Sequence, residues 1–366
     1  MMGSAQVFPV LRAFNEAVEV VHVEEDAATK AVGRPQRWYG TLGIGVPEMK
    51  KAHVHIGTSG WSYPERDTGW RGVFYPGKGD ELEFYSRYFD TVEVNSTFYH
   101  PATRKMADSW VRRTPKGFKF SVKLWQKFTH PKMFEEATGA KPAVDSEDFN
   151  AFRQGFDPIA EAGKLGCLLL QFPPSFHATE QCMEGLERYL SQFRDYPLAV
   201  ELRHKSWGEK SGELKDLFAS LDVSWVFIDE PKFSSSIEQK LEPAGSTLYV
   251  RFHGRNKAKW WTHDEAWERY DYLYKAQELL PFAEEFQRLI TEGLVKRLYI
   301  YFNNHAKAQA VANALMLKYQ LGLPIEAEVP ASLLDTYPDL SDLVGKTAPS
   351  ALRSPAPPER EGRLPL

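Results

Sequence analysis

Thr91-Val92-Glu93-Val94-Asn95-Ser96-Thr97-Phe98-Tyr99-His100 is the stretch on which the fold turns. It reads as a β-strand running into a polar, aromatic loop. Val92 and Val94 fall on one face, Glu93 and Asn95 on the other, because successive side chains of a strand alternate. In a sandwich the polar face would meet water. In a parallel barrel the face opposite the helices points down the barrel axis, and Glu93 and Asn95 become the floor of a site.

Working outward, strand-like and helix-like segments alternate. Strand patterns occupy 54–58, 91–95, 118–123, 167–172, 198–202, 223–229, 247–253 and 298–303. Helical stripes lie between most of them, as at Phe149, Phe152, Phe156 and Ile159 or Met183, Leu186, Leu190 and Phe193. After Asp229 no helical pattern is evident. The βα units between residues 52 and 325 predict an α/β fold, a single (β/α)8 TIM-type barrel. An open doubly wound sheet is the runner-up, but no Gly-rich dinucleotide fingerprint follows the first strand. Residues 1–51 read as a poorly defined N-terminal extension. Residues 326–366 read as a C-terminal extension, with a disordered tail where Pro355, Pro357, Pro358 and Pro365 cluster.

Composition narrows the function. Lys and Arg number 45 against 49 Asp and Glu, a formal charge of −4. Nucleic-acid binding would therefore need a local patch. Cys167 and Cys182 stand apart, which argues against a disulfide scaffold or a thiolate zinc site and fits a reducing cytoplasm. No apolar run predicts a membrane span.

With the helix-facing residues apolar, the inward set near the strand ends reads Ser59, Glu93, Asn95, Lys123, Gln171, Glu201, Arg203, Asp229, Arg251, His253, Tyr301 and Asn303. Catalytic groups of this fold come from these positions. The competing reading is a self-satisfied salt-bridge network closing the top of the barrel.

Several motifs now align with a known family. Gly57-Thr58-Ser59-Gly60-Trp61-Ser62-Tyr63, Phe74-Tyr75-Pro76, 91–99, Thr129-His130, Gln171-Phe172-Pro173-Pro174, Glu201-Leu202-Arg203-His204-Lys205-Ser206-Trp207, Arg251-Phe252-His253-Gly254 and Tyr301-Phe302-Asn303-Asn304 resemble the YecE-like family, domain of unknown function 72. The resemblance spans about residues 53–320. It implies a TIM-type barrel and supplies no reaction. One departure is the run Pro64 to Gly69 that precedes Trp70.

The residues themselves restrict the chemistry. A retaining glycosidase needs two carboxylates about 5–5.5 Å apart. The usual strands four and seven end here in Gln171 and Arg251, leaving Glu93 with Glu201 or Asp229. Lys123 is a Schiff-base candidate, but nearby carboxylates would keep it charged and paired. A divalent metal could draw on Glu93, Glu201, Asp229 and His253, yet Lys123, Arg203 and Arg251 can neutralise the same carboxylates, so no cofactor is expected.

The mixed ring best suits a small anionic, hydroxyl-bearing ligand. Arg203, Arg251 and Arg255 would clamp phosphate or carboxylate. Asn95, Gln171 and Asn303 would bind hydroxyls, with Trp61, Tyr99 and His130 around them. Glu93, Glu201, Asp229, Lys123 or His253 would move protons, as in a hydrolase or lyase. Glu201→Gln is expected to abolish activity and leave the fold intact. Two alternatives stand beside this. The basic, aromatic run 254–261 could bind single-stranded nucleic acid, or the barrel could hold a ligand without turning it over.

Overall fold

The computed structural model describes residues 52–64 and 68–344. The expectations for 1–51 and for the Pro-rich tail lie outside the described residues. The strands are β1 (His53–Ser59), β2 (Thr91–Val94), β3 (Lys119–Lys123), β4 (Leu165–Gln171), β5 (Leu198–Glu201), β6 (Ser224–Trp225), β7 (Phe227–Asp229), β8 (Thr247–Phe252) and β9 (Arg297–Phe302). All pair in parallel, in the order β6-β5-β4-β3-β2-β1-β9-β8-β7. The two ends of that order are one residue apart in the chain, so the nine strands form a nearly closed barrel.

Nine strands replace the expected eight because the sixth is broken at Val226. β6 pairs with β5 and β7 pairs with β8. At the break, Gln239 substitutes for a neighbouring strand. Its Nε2 donates to Val226 O at 2.8 Å and its Oε1 accepts from Ile228 N at 3.3 Å, which meets the requirement that buried backbone groups be paired. Among the described residues no helix occupies 230–246, as the missing periodicity there suggested.

The outward strand residues Val92, Phe120, Val200, Leu248, Ile300 and Phe302 are all buried under the helices. Those helices present Trp110, Phe152, Leu186, Phe286 and Leu315 to them. Helix starts are fixed locally: Asp80, Thr103, Asp145 and Thr179 each accept hydrogen bonds from the first-turn amides. β1 runs close to β2 at Gly57, where a Cβ would lie 2.2 Å from Thr91 O.

Beyond residue 325 the chain continues as helices Ala331–Thr336 and Pro338–Val344. Leu333 and Leu340 are buried, and Ser332 Oγ donates to Val73 O.

Candidate active site

The barrel interior is layered, and the layers place the site. Lowest is a tyrosine layer, with Tyr249, Tyr299 and Tyr301 buried side by side. Tyr301 Oη lies 2.6 Å from Thr91 Oγ1 and 2.9 Å from Ser121 Oγ. Above it is an ionic layer. Glu93 on β2, Glu201 on β5 and Arg251 on β8 meet one another, which side chains from such distant strands can do only across the interior.

Arg251 donates from Nε and Nη2 to both oxygens of Glu93, at 3.0 and 2.7 Å, and from Nη1 to Glu201 at 2.6 Å. Glu93 also accepts from Ser59 Oγ at 2.8 Å and Tyr249 Oη at 2.7 Å. Glu201 accepts from Arg203 Nε at 2.6 Å. Glu93 and Glu201 are 0 % exposed and Arg251 is 1 %. Burial alone would raise the Glu201 carboxyl; Arg203 and Arg251 outweigh it and hold it well below the usual range.

This ionic layer corrects two expectations. Arg251 is no ligand clamp, because its three nitrogens already serve Glu93 and Glu201. Glu201 is a poor proton acceptor for the same reason. His253 is corrected as well. Its Nε2 faces Arg203 Nη2 at 3.2 Å and Arg251 Nη1 at 3.4 Å. Asn303 Nδ2 donates to Nδ1 at 3.0 Å, and Glu201 Oε2 lies 3.8 Å from Nε2. Burial, then Arg251, pushes His253 down to about 3. It is a neutral brace.

The sixth strand is corrected in parity. Ile228 is in register with Arg251 and Asp229 with Phe252, so Asp229 points to the helix side. There it takes two hydrogen bonds from Arg255, at 2.8 and 2.7 Å, and one from Tyr274 Oη at 2.6 Å. Asp229 and Arg255 therefore hold each other, away from the ionic layer. The inward group is Glu230, which the sequence reading passed over. It lies 3.2 Å from Arg203 Nη1, and burial raises its carboxyl despite Arg203. Both faces of 223–228 are apolar apart from Ser224, so hydrophobicity could not assign the parity. Ser224 on the same parity as Glu230 was the available signal.

Lys123 is the largest correction. Its expected carboxylate partners are occupied by arginines. Among the described residues no acceptor lies within hydrogen-bonding distance of its Nζ, which sits 3.9 Å above the centre of the Phe98 ring. Burial, then Arg251, brings the ammonium down to about 7, against the pull of Glu93 and Glu201. His130 packs edge-on against the same ring, 4.9 Å between centroids, with Nδ1 2.9 Å from Thr129 Oγ1. Burial, then Lys123 and Arg203, lowers His130 to about 3.

The remaining predicted residues divide. Asn95 stands two residues beyond Glu93 with Oδ1 buried and unpartnered among the described residues. Gln171 is in register with Glu201. Tyr99 is 59 % exposed at the end of the turn that carries Phe98. Trp61 instead packs edge-on against Trp110, at 5.6 Å, in the helix layer. In the basic loop, Arg255 and Lys259 are paired, to Asp229 and to Glu268 at 2.8 Å, while Lys257 lies over Phe233. The four proposed metal ligands do not converge, and among the described residues no group of three or more such side chains does. No helix among the described residues is long and apolar enough to cross a membrane.

Comparison with known proteins matches residues 55–334 to the family model described as protein of unknown function DUF72. The UPF0759 protein YunF of Bacillus subtilis is 29 % identical over 291 residues, covering 76 % of this chain and 99 % of YunF. A crystal structure of a DUF72 family protein from Thermotoga maritima is 35 % identical, with a TM-score of 0.62 over 74 % of this chain and 99 % of that one. One from Enterococcus faecalis, 24 % identical, has a TM-score of 0.65 over 76 % and 99 % and speaks for the fold alone.

Proposed function

The chain belongs to the DUF72 family, and from that premise we propose that it is an enzyme performing acid/base chemistry on a small anionic, hydroxyl-bearing substrate at the C-terminal mouth of the barrel. The observation that carries this reading is Lys123: an amine without a protein acceptor among the described residues, at a strand end, brought to about 7. A group that titrates near neutrality can both take and return a proton under working conditions. A purely structural lysine would be expected to pair with a carboxylate.

The field at the mouth favours an anion. Lys123 and His130, side by side on Phe98, are both held down partly by neighbouring cations, Lys123 by Arg251 and Arg203, His130 by Lys123 and Arg203. A phosphate or carboxylate there would relieve that repulsion. Asn95 Oδ1 offers a hydroxyl acceptor. The nucleic-acid reading is weaker, because two of the cations it needs, Arg255 and Lys259, are already paired.

The test is NMR of reductively 13C-methylated protein, with Lys123 assigned by Lys123→Arg, titrated with and without glycerate or glycerol 3-phosphate. We expect a midpoint near 7 that rises with ligand, since a bound anion favours the ammonium. A midpoint near that of ordinary lysine, or no response to either ligand, would overturn the proposal.

A further inference from the structure

We infer that Lys123 is a nucleophile that forms an imine with a carbonyl carbon, so that the substrate class is an oxo acid or a phosphorylated ketone or aldehyde. This rests on the reading of the mouth given above and sharpens it from proton transfer to covalent catalysis.

The geometry supplies what an imine-forming lysine needs. Nζ has no acceptor among the described residues, so its lone pair, once the proton leaves, is not tied to a partner. It lies over the face of Phe98 at 3.9 Å, an apolar platform that bears no oxygen to recapture the proton. The carboxylates that could hold it as ammonium, Glu93 and Glu201, have their oxygens taken by Arg251, Arg203, Ser59 and Tyr249. The charged groups that act on the amine are thus Arg251 and Arg203, which favour the neutral form, and Glu93 and Glu201, which oppose it. His130, neutral and packed edge-on against the same ring, lies on the loop after β3.

The step balances. The neutral amine adds to the carbonyl carbon, forming an N–C bond as the C=O π pair moves to oxygen. One proton then on nitrogen passes to that oxygen to give the carbinolamine. The second follows as the C–O bond breaks, so that water leaves and the nitrogen lone pair completes C=N. One amine and one carbonyl give one imine and one water, with nothing oxidised or reduced. The imine withdraws electrons from its α-carbon, the activation that carbon–carbon lyases and dehydratases exploit.

The experiment uses the full chain with pyruvate and sodium cyanoborohydride, which reduces an imine to a stable secondary amine, followed by peptide mass mapping. At pH 7 about half of Lys123 is neutral, against about one part in three thousand of an ordinary lysine. Modification of Lys123 should therefore exceed that of exposed Lys132 by at least about tenfold, after allowing for the lower nucleophilicity of a weaker base. Its rate should rise through a midpoint near 7. Lys123→Arg, which keeps a cation over Phe98, should fold normally and lose the adduct; Lys132→Met should keep it. Labelling of Lys123 no faster than of Lys132 would overturn the inference. If Lys123 still titrates near 7 and answers to glycerate, imine formation alone has failed. If the titration is also absent, the acid/base reading fails with it.

Discussion

Replacing Lys123 by Met should stabilise the protein, and the gain should depend on pH in a defined sense. Lysine ordinarily titrates near 10.5, and here it is brought to about 7. A base whose folded-state value is depressed binds fewer protons folded than unfolded between those limits, so stability rises with pH across that window. The penalty is complete below about 7 and gone above about 10.5. At pH 7 full desolvation corresponds to about 4 kcal/mol, falling to ~2 kcal/mol at pH 9. Lys123 keeps partial exposure at the mouth, and its contact with Phe98 contributes about 0.5–1 kcal/mol in the other direction. The expected net gain of Lys123→Met is therefore about 2 kcal/mol at pH 7, shrinking to near zero by pH 9.5. Urea unfolding followed by tryptophan fluorescence at both values, with m compared, measures it. A Lys123→Met protein that is less stable than the parent at pH 7, or a difference that does not change with pH, would refute the desolvated-amine argument.

Two further outcomes follow from the ionic layer. Glu201→Gln should now destabilise the fold by about 3–5 kcal/mol, since it leaves Arg251 and Arg203 buried beside a neutral group; thermal unfolding checks this, and adding Arg203→Met should recover part of the loss. Acid should weaken the protein early. His253 and His130, neutral in the fold and held to about 3, protonate near 6.5 once unfolded, so stability should fall from pH 6.5 toward 3 with proton uptake on unfolding, and a urea midpoint flat between pH 6.5 and 4 would contradict it.

How much of this the sequence disclosed depends on whether one face of a strand differed from the other. On β2, Val92 and Val94 against Glu93 and Asn95 separated the two faces, and the structure puts Glu93 in the interior as the barrel reading required. The same holds for β5 and β8, where Glu201, Arg203, Arg251 and His253 alternate with leucine, valine and phenylalanine. Segment 223–229 has apolar residues on both faces, and only the last position looked polar. Asp229 was taken as inward and Glu230 overlooked. The register with β8 reverses that choice, and Arg255 follows Asp229 to the helix side. What alternation cannot carry is partner choice: a list of inward charges does not say which carboxylate meets which guanidinium.

Partner choice is where the site takes its character. Two arginines and two glutamates could have left both arginines facing the mouth and Lys123 paired with a carboxylate, the arrangement the sequence suggested. Arg251 is instead placed centrally, with Tyr249 and Ser59 supplying further donors to Glu93. The oxygens of Glu93 and Glu201 are thereby hydrogen-bonded to other donors before the lysine is considered. A buried ion-pair network adds little net stability. Here it has a consequence that an apolar layer of the same volume would lack, since it sets Arg251 and Arg203 against Glu93 and Glu201 beneath an amine that none of them bonds. Exchanging Glu93 and Arg251 for apolar residues could preserve the barrel, but it would remove the cation that, after burial, does most to lower Lys123. The network and the lysine are then coupled: burial does most to lower the amine, and Arg251 adds to it against Glu93 and Glu201.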